Sequence, residues 1–144
     1  MNTEKINLRL SLKTEWFELT KSGVKTEDYR EITPYWSKRL LLHKDGSDPK
    51  KLFINVFKNE FKSISEYQSW IIASFKSKYF NTKTFTTNIM TLGYPKTGDI
   101  ERILKLEHKG IEIGTGNPDW GAEPDKLYFV IKHGKEKKAT VSIW

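Results

Sequence analysis

An α+β chain built around a compact, curved or barrel-like sheet is what this sequence predicts, and three observations predict it. Short β-prone runs gather at the beginning and in the second half, while helical periodicity falls near the beginning and middle. No repeat, low-complexity tract or linker divides the 144 residues, which suit one domain with a real core. Closing the sheet on itself would hide the edges that many short strands otherwise leave open.

Each element has its own signal. Asn7 to Lys13 alternates Leu8, Leu10 and Leu12 with polar residues, the period-2 pattern of a half-buried strand. Thr14 can cap a helix over Glu15 to Ser22, with Glu15 and Glu18 at its positive end and Gly23 placed to close it. Lys25 to Ile32 reads as extended, and Thr33-Pro34 opens a second helix to about Leu42. His43 to Lys51 is a loop, after which Leu52, Ile54 and Val56 alternate with Phe53 and Phe57 as in a strand. Ser63 and Glu66 form a capping box for a third helix that carries Tyr67, Ile71, Phe75 and Tyr79 on one face and ends near Phe80. Thr82 to Thr91 and Ile100 to Ile113 are strand material, the latter interrupted at Lys109-Gly110. Gly114 to Asp125 is a loop holding Trp120. Leu127 to Ile131 suits a strand buried on both sides, and Thr140 to Trp144 a last short one.

Composition bounds the function. Five Trp, six Tyr and eight Phe with 37% hydrophobic residues describe a folded chain. The absence of cysteine excludes disulfides, a thiolate nucleophile and Cys-based zinc sites. His43, His108 and His133 make no i, i+4 pair, so no metal or other cofactor is expected. Residues 1–6 lack an apolar targeting segment and no later stretch could span a bilayer, which predicts a cytoplasmic protein with no membrane partner. A net charge of +7 favours polyanions, nucleic acid or nucleotides among them.

The segment from Gly23 to Arg30 concentrates the chemistry. Glycine frees the backbone, Asp28 and Arg30 share a strand face, and Lys25 joins them if extended geometry starts after it. Lysine and arginine would grip a phosphate or base edge, while the carboxylate orients a water or the ammonium. A solvent-facing strand with an Asp28–Arg30 ion pair is the plainer reading. Trp36 and Arg39, three apart, share a helix face and are candidates to stack on bases, with a core stripe of Trp36 and Leu40 as the commoner outcome. Trp120 can lid a cleft or plug the barrel end. The lysines from Lys132 to Lys138 read as a solvated hairpin turn.

Gly23, Lys25, Asp28 and Arg30 resemble the G-x-K-x-x-E-x-R signature of ASCH domains, members of the PUA-like superfamily. Leu8 to Lys13, Tyr29 to Trp36 and Ile113 to Ala122 resemble the version found in phage and prophage proteins. The resemblance covers the first and last thirds; residues 44–100 match poorly, with a helical insertion around 58–82. It implies a PUA-like small β-barrel with flanking helices and a cleft for RNA or modified nucleotides; the candidate nucleotide-binding residues are Lys13, Lys25, Arg30, Trp36, Arg39 and Trp120. Some branches are amidohydrolases of acylated cytidine or ribonucleases, which would give Lys25, Asp28 and Glu107 catalytic roles. Asp28 stands where the signature has glutamate, or where the amidohydrolase branch has its threonine nucleophile, so that hydroxyl is missing. The expectation is RNA or nucleotide binding, with a hydrolase acting on nucleic acid as alternative and a phage protein–protein interaction module as second alternative.

Overall fold

Leu8, Leu10 and Leu12 do point inward together, and they anchor β1 (Asn7–Leu12) against the core of the computed structural model, which describes residues 7–49, 51–96 and 98–137. Next come α1 (Thr14–Lys21), β2 (Glu27–Arg30), α2 (Pro34–Leu40) and β3 (Leu41–His43). Then α3 (Leu52–Glu60), α4 (Ile64–Lys76) and β4 (Phe80–Thr82) lead into β5 (Thr87–Leu92), β6 (Ile103–Thr115) and β7 (Leu127–Glu136). Five strands form one curled sheet, a half-barrel, in the order β1-β5-β6-β7-β2. Among the described residues only β1 and β5 pair in parallel, and β3 and β4 make a separate two-stranded ribbon. The predicted α+β class with a small barrel-like sheet is therefore present. Among the described residues no helix is long and apolar enough to cross a membrane.

Capping follows the local chemistry. Thr33 Oγ1 accepts from Trp36 N–H at 3.3 Å and Pro34 follows at the first helical position of α2, where its missing N–H costs nothing. Ser63 Oγ accepts from Glu66 N–H at 3.2 Å at the start of α4. At α1 the N-cap position belongs to Lys13, and Thr14 begins the helix without capping it. The break expected at Lys109-Gly110 is a pair of register shifts between β6 and β7, on either side of His108.

The segment 52–60 is a helix, which corrects the strand expected there. Phe53, Phe57 and Phe61 recur every four residues and face Tyr67, Trp70 and Phe80, whereas Ile54 is left exposed. The period of 3.6 prevails because the apolar stripe continues past residue 57 while Asn55, Lys58, Asn59 and Glu60 take the outer side. Helix α4 stops at Lys76, so Tyr79 leaves its face and is exposed. Lys132 to Glu136 form the end of β7 and not a hairpin turn. The strand expected at Thr140 to Trp144 lies outside the described residues.

The middle helices are part of the main core. Phe53, Tyr67 and Ile71 are buried with Leu10, Phe17, Leu41, Met90 and Phe129 in one cluster. A buried bond from Tyr67 to Ser37, 2.8 Å, ties α4 to α2.

Candidate functional site

The site begins where α1 ends. Ser22 closes the helix, Gly23 turns the chain at φ +87°, and Lys25 N–H donates back to Leu19 O at 3.0 Å. That return leaves Lys25 only 3% exposed. Its Nζ donates to Glu27 O at 2.7 Å and to Asp28 Oδ1 at 3.2 Å. Arg30 Nε donates to the other oxygen of Asp28 at 2.7 Å. One buried carboxylate thus holds two cations. Burial pulls the Lys25 ammonium below its ordinary pKa, and Asp28 opposes that pull.

Arg30 also reaches across the sheet. Strands β1 and β2 are its two edges, and Arg30 Nη2 donates to Ser11 O of β1 at 2.9 Å. Two residues earlier on the same edge, Arg9 O accepts from Arg39 Nη2 at 2.8 Å. The free carbonyls of an edge strand are covered here by guanidinium groups.

Lys25, Asp28 and Arg30 line one cavity of about 320 Å³, joined by Lys13 and Trp120 from the expected set. Trp16, Tyr29 and Tyr128 complete its aromatic walls, with Glu31 and Glu123 beside them. Tyr29 leans on Tyr128 with ring centroids 5.8 Å apart. Its hydroxyl donates to Glu27 Oε1 at 3.0 Å and accepts from Asn117 N–H at 2.9 Å, and burial pushes its pKa up to about 12. The loop carrying Trp120 is fitted closely. A Cβ on Gly116 would stand 2.9 Å from the Tyr29 ring, and one on Gly121, whose φ is +97°, 2.9 Å from Trp16.

Trp36 and Arg39 lie outside that cavity, in an adjoining groove that shares Ser11 and Arg30 with it. Trp36 is half-buried against the core, and the guanidinium carbons of Arg30 and Arg39 lie 4.8 and 4.6 Å from its ring centroid. Its π surface serves the protein's own arginines, a role between the two readings of the sequence. Glu107 is not among the residues around the cavity. Its carboxylate accepts from Lys135 N–H at 2.9 Å and pairs with Lys109 at 3.9 Å, and these keep its pKa below the usual range. The sequence placed it on the strand running toward His108 but could not place that strand relative to β2. Among the described residues no three His, Asp or Glu side chains converge as a metal site would require.

Trp16, Tyr29 and Tyr128 were not singled out from the sequence. Tyr29 sat inside the motif, on the parity opposite to Asp28 and Arg30, and only the pairing of β2 with β7 brings Tyr128 to it. Neither family models, curated proteins nor solved structures give a match to this chain, so the likeness to ASCH domains rests on the motif blocks themselves.

Proposed function

We propose that this chain is a cytoplasmic, ASCH-type PUA-like domain that binds RNA or a modified nucleotide in the cavity around Lys25, Asp28 and Arg30. The observation that carries the reading is the union, in one cavity of about 320 Å³, of a fixed cation–carboxylate–cation group with four aromatic side chains. That volume is at the lower end of the roughly 300–1,000 Å³ typical of small-ligand sites. Its lining balances Lys13, Lys25 and Arg30 against Asp28, Glu31 and Glu123. Donors and acceptors side by side suit the edge of a base, and Trp16, Tyr29, Trp120 and Tyr128 offer apolar surface to its flat faces.

Titration of the four nucleoside monophosphates and short oligoribonucleotides at low salt, read through quenching of Trp16 and Trp120, tests this. Saturable binding is expected, weakened about tenfold or more in Lys25→Ala with Arg30→Ala, the scale of charge-assisted hydrogen bonds. No saturable binding, or affinity indifferent to both substitutions, overturns the reading.

A hydrolase is the second reading, favoured by one observation: a buried lysine with a lowered pKa beside a carboxylate. Against it, both oxygens of Asp28 are committed to cations. Turnover of acylated cytidine or labelled RNA that disappears in Lys25→Met would establish catalysis.

A further inference from the structure

We infer that the ligand is a single strand of RNA at least two nucleotides long, one base lying in the Lys25 cavity and the next phosphate and base in the groove beyond Arg30. This rests on the reading above and specifies its substrate class. The groove is about 690 Å³, roughly twice the cavity, and Ser11 and Arg30 line both, so the two spaces adjoin at the Arg30–Ser11 contact.

Their charge differs in kind. The cavity balances three cations with three carboxylates, whereas Arg9, Arg30, Arg39 and Lys96 line the groove with no acidic residue among them. Arg30 is already paired with Asp28, so a lone nucleoside would leave the positive surface of Arg9, Arg39 and Lys96 unused, and a phosphodiester strand neutralises it. The arginines are held ready. Arg39 is fixed by Arg9 O at 2.8 Å and lies over Trp36 at 4.6 Å and Tyr35 at 5.6 Å, which leaves further N–H donors for an anion without the cost of freezing a free side chain. Beside them Tyr94 is 95% exposed, an open ring on which a following base can stack, and Tyr35, 62% exposed beneath Arg39, adds apolar surface.

The test compares a nucleoside monophosphate with the trinucleotide of the same base. The trinucleotide should bind at least tenfold tighter, the lower range of one base–aromatic stack of about 1–3 kcal/mol. Its affinity should also fall more steeply with salt, by about 0.7 in log–log slope for each added phosphate contact. Arg39→Ala should remove most of that gain. Tyr94→Ala with Lys96→Ala, on an exposed turn, should do the same without touching the β1 edge. Equal affinity for the two ligands, or a trinucleotide gain that survives both variants, overturns the strand inference while the cavity reading stands. Failure of both ligands to bind overturns the cavity reading and this inference with it.

Discussion

Asp28 is the side chain on which its neighbours depend. It is 5% exposed, and its carboxylate contacts both Lys25 and Arg30. Removing one member of such a group leaves the remaining charge without compensation, which is worth about 3–5 kcal/mol in the buried case. Asp28→Ala is therefore expected to destabilise the fold by that amount in urea unfolding. Lys25→Met keeps the Asp28–Arg30 pair and replaces the ammonium with apolar volume, so its loss should stay near 1 kcal/mol. Equal losses for the two would show that the carboxylate does not hold the lysine in place. This trio was legible in the sequence because its geometry is local: strand parity aligned residues 28 and 30, and a glycine let residue 25 turn in. The aromatic walls were not, because Trp16 and Tyr128 come from α1 and β7, and their meeting is a property of the assembled sheet.

At the scale of elements, the loop from Gly116 to Ala122 sets the distance between Trp120 and the cavity. Gly121 and Gly46 have similar positive φ, +97° and +89°, yet a Cβ on Gly46 meets nothing within 4 Å while one on Gly121 meets Trp16. Gly46→Ala should cost about 1 kcal/mol from backbone strain alone, and Gly121→Ala about 2–3 kcal/mol. Thermal unfolding measures both, and only Gly121→Ala should also change the Trp fluorescence of the folded protein. Equal costs and unchanged fluorescence would mean that the loop does not press on Trp16. Elements with a capping signature were readable in outline: Thr33 and Ser63 both accept the bond expected of them. The segment 52–60 was misread because a six-residue window of alternating apolar residues fits both periods, and only the aromatic partners on α4 and β4 decide between them.

The molecule as a whole carries a polar seam inside its sheet. Asn88 Nδ2 donates to His133 Nδ1 at 2.8 Å and Asn88 Oδ1 accepts from His108 Nδ1 at 2.8 Å. Burial holds His133 near a pKa of about 4, with Asp28 opposing, and moves His108 in the same direction. The unfolded chain then takes up a proton first. Stability is complete above about pH 6.5 and is lost as pH falls toward 4, by up to about 3 kcal/mol from His133. Urea unfolding at pH 7.5, 5.5 and 4.5 should show that decline, and His133→Gln should flatten it; a flat profile in the parent protein would contradict it. The curled sheet has a second consequence. Its first and last strands are fastened to one another by the Arg30 guanidinium on Ser11 O, where a closed barrel would have a backbone ladder. Because that clasp is the same planar cation that lines the cavity, a nucleotide drawing on Arg30, as proposed above, would load the joint between the two edges as well.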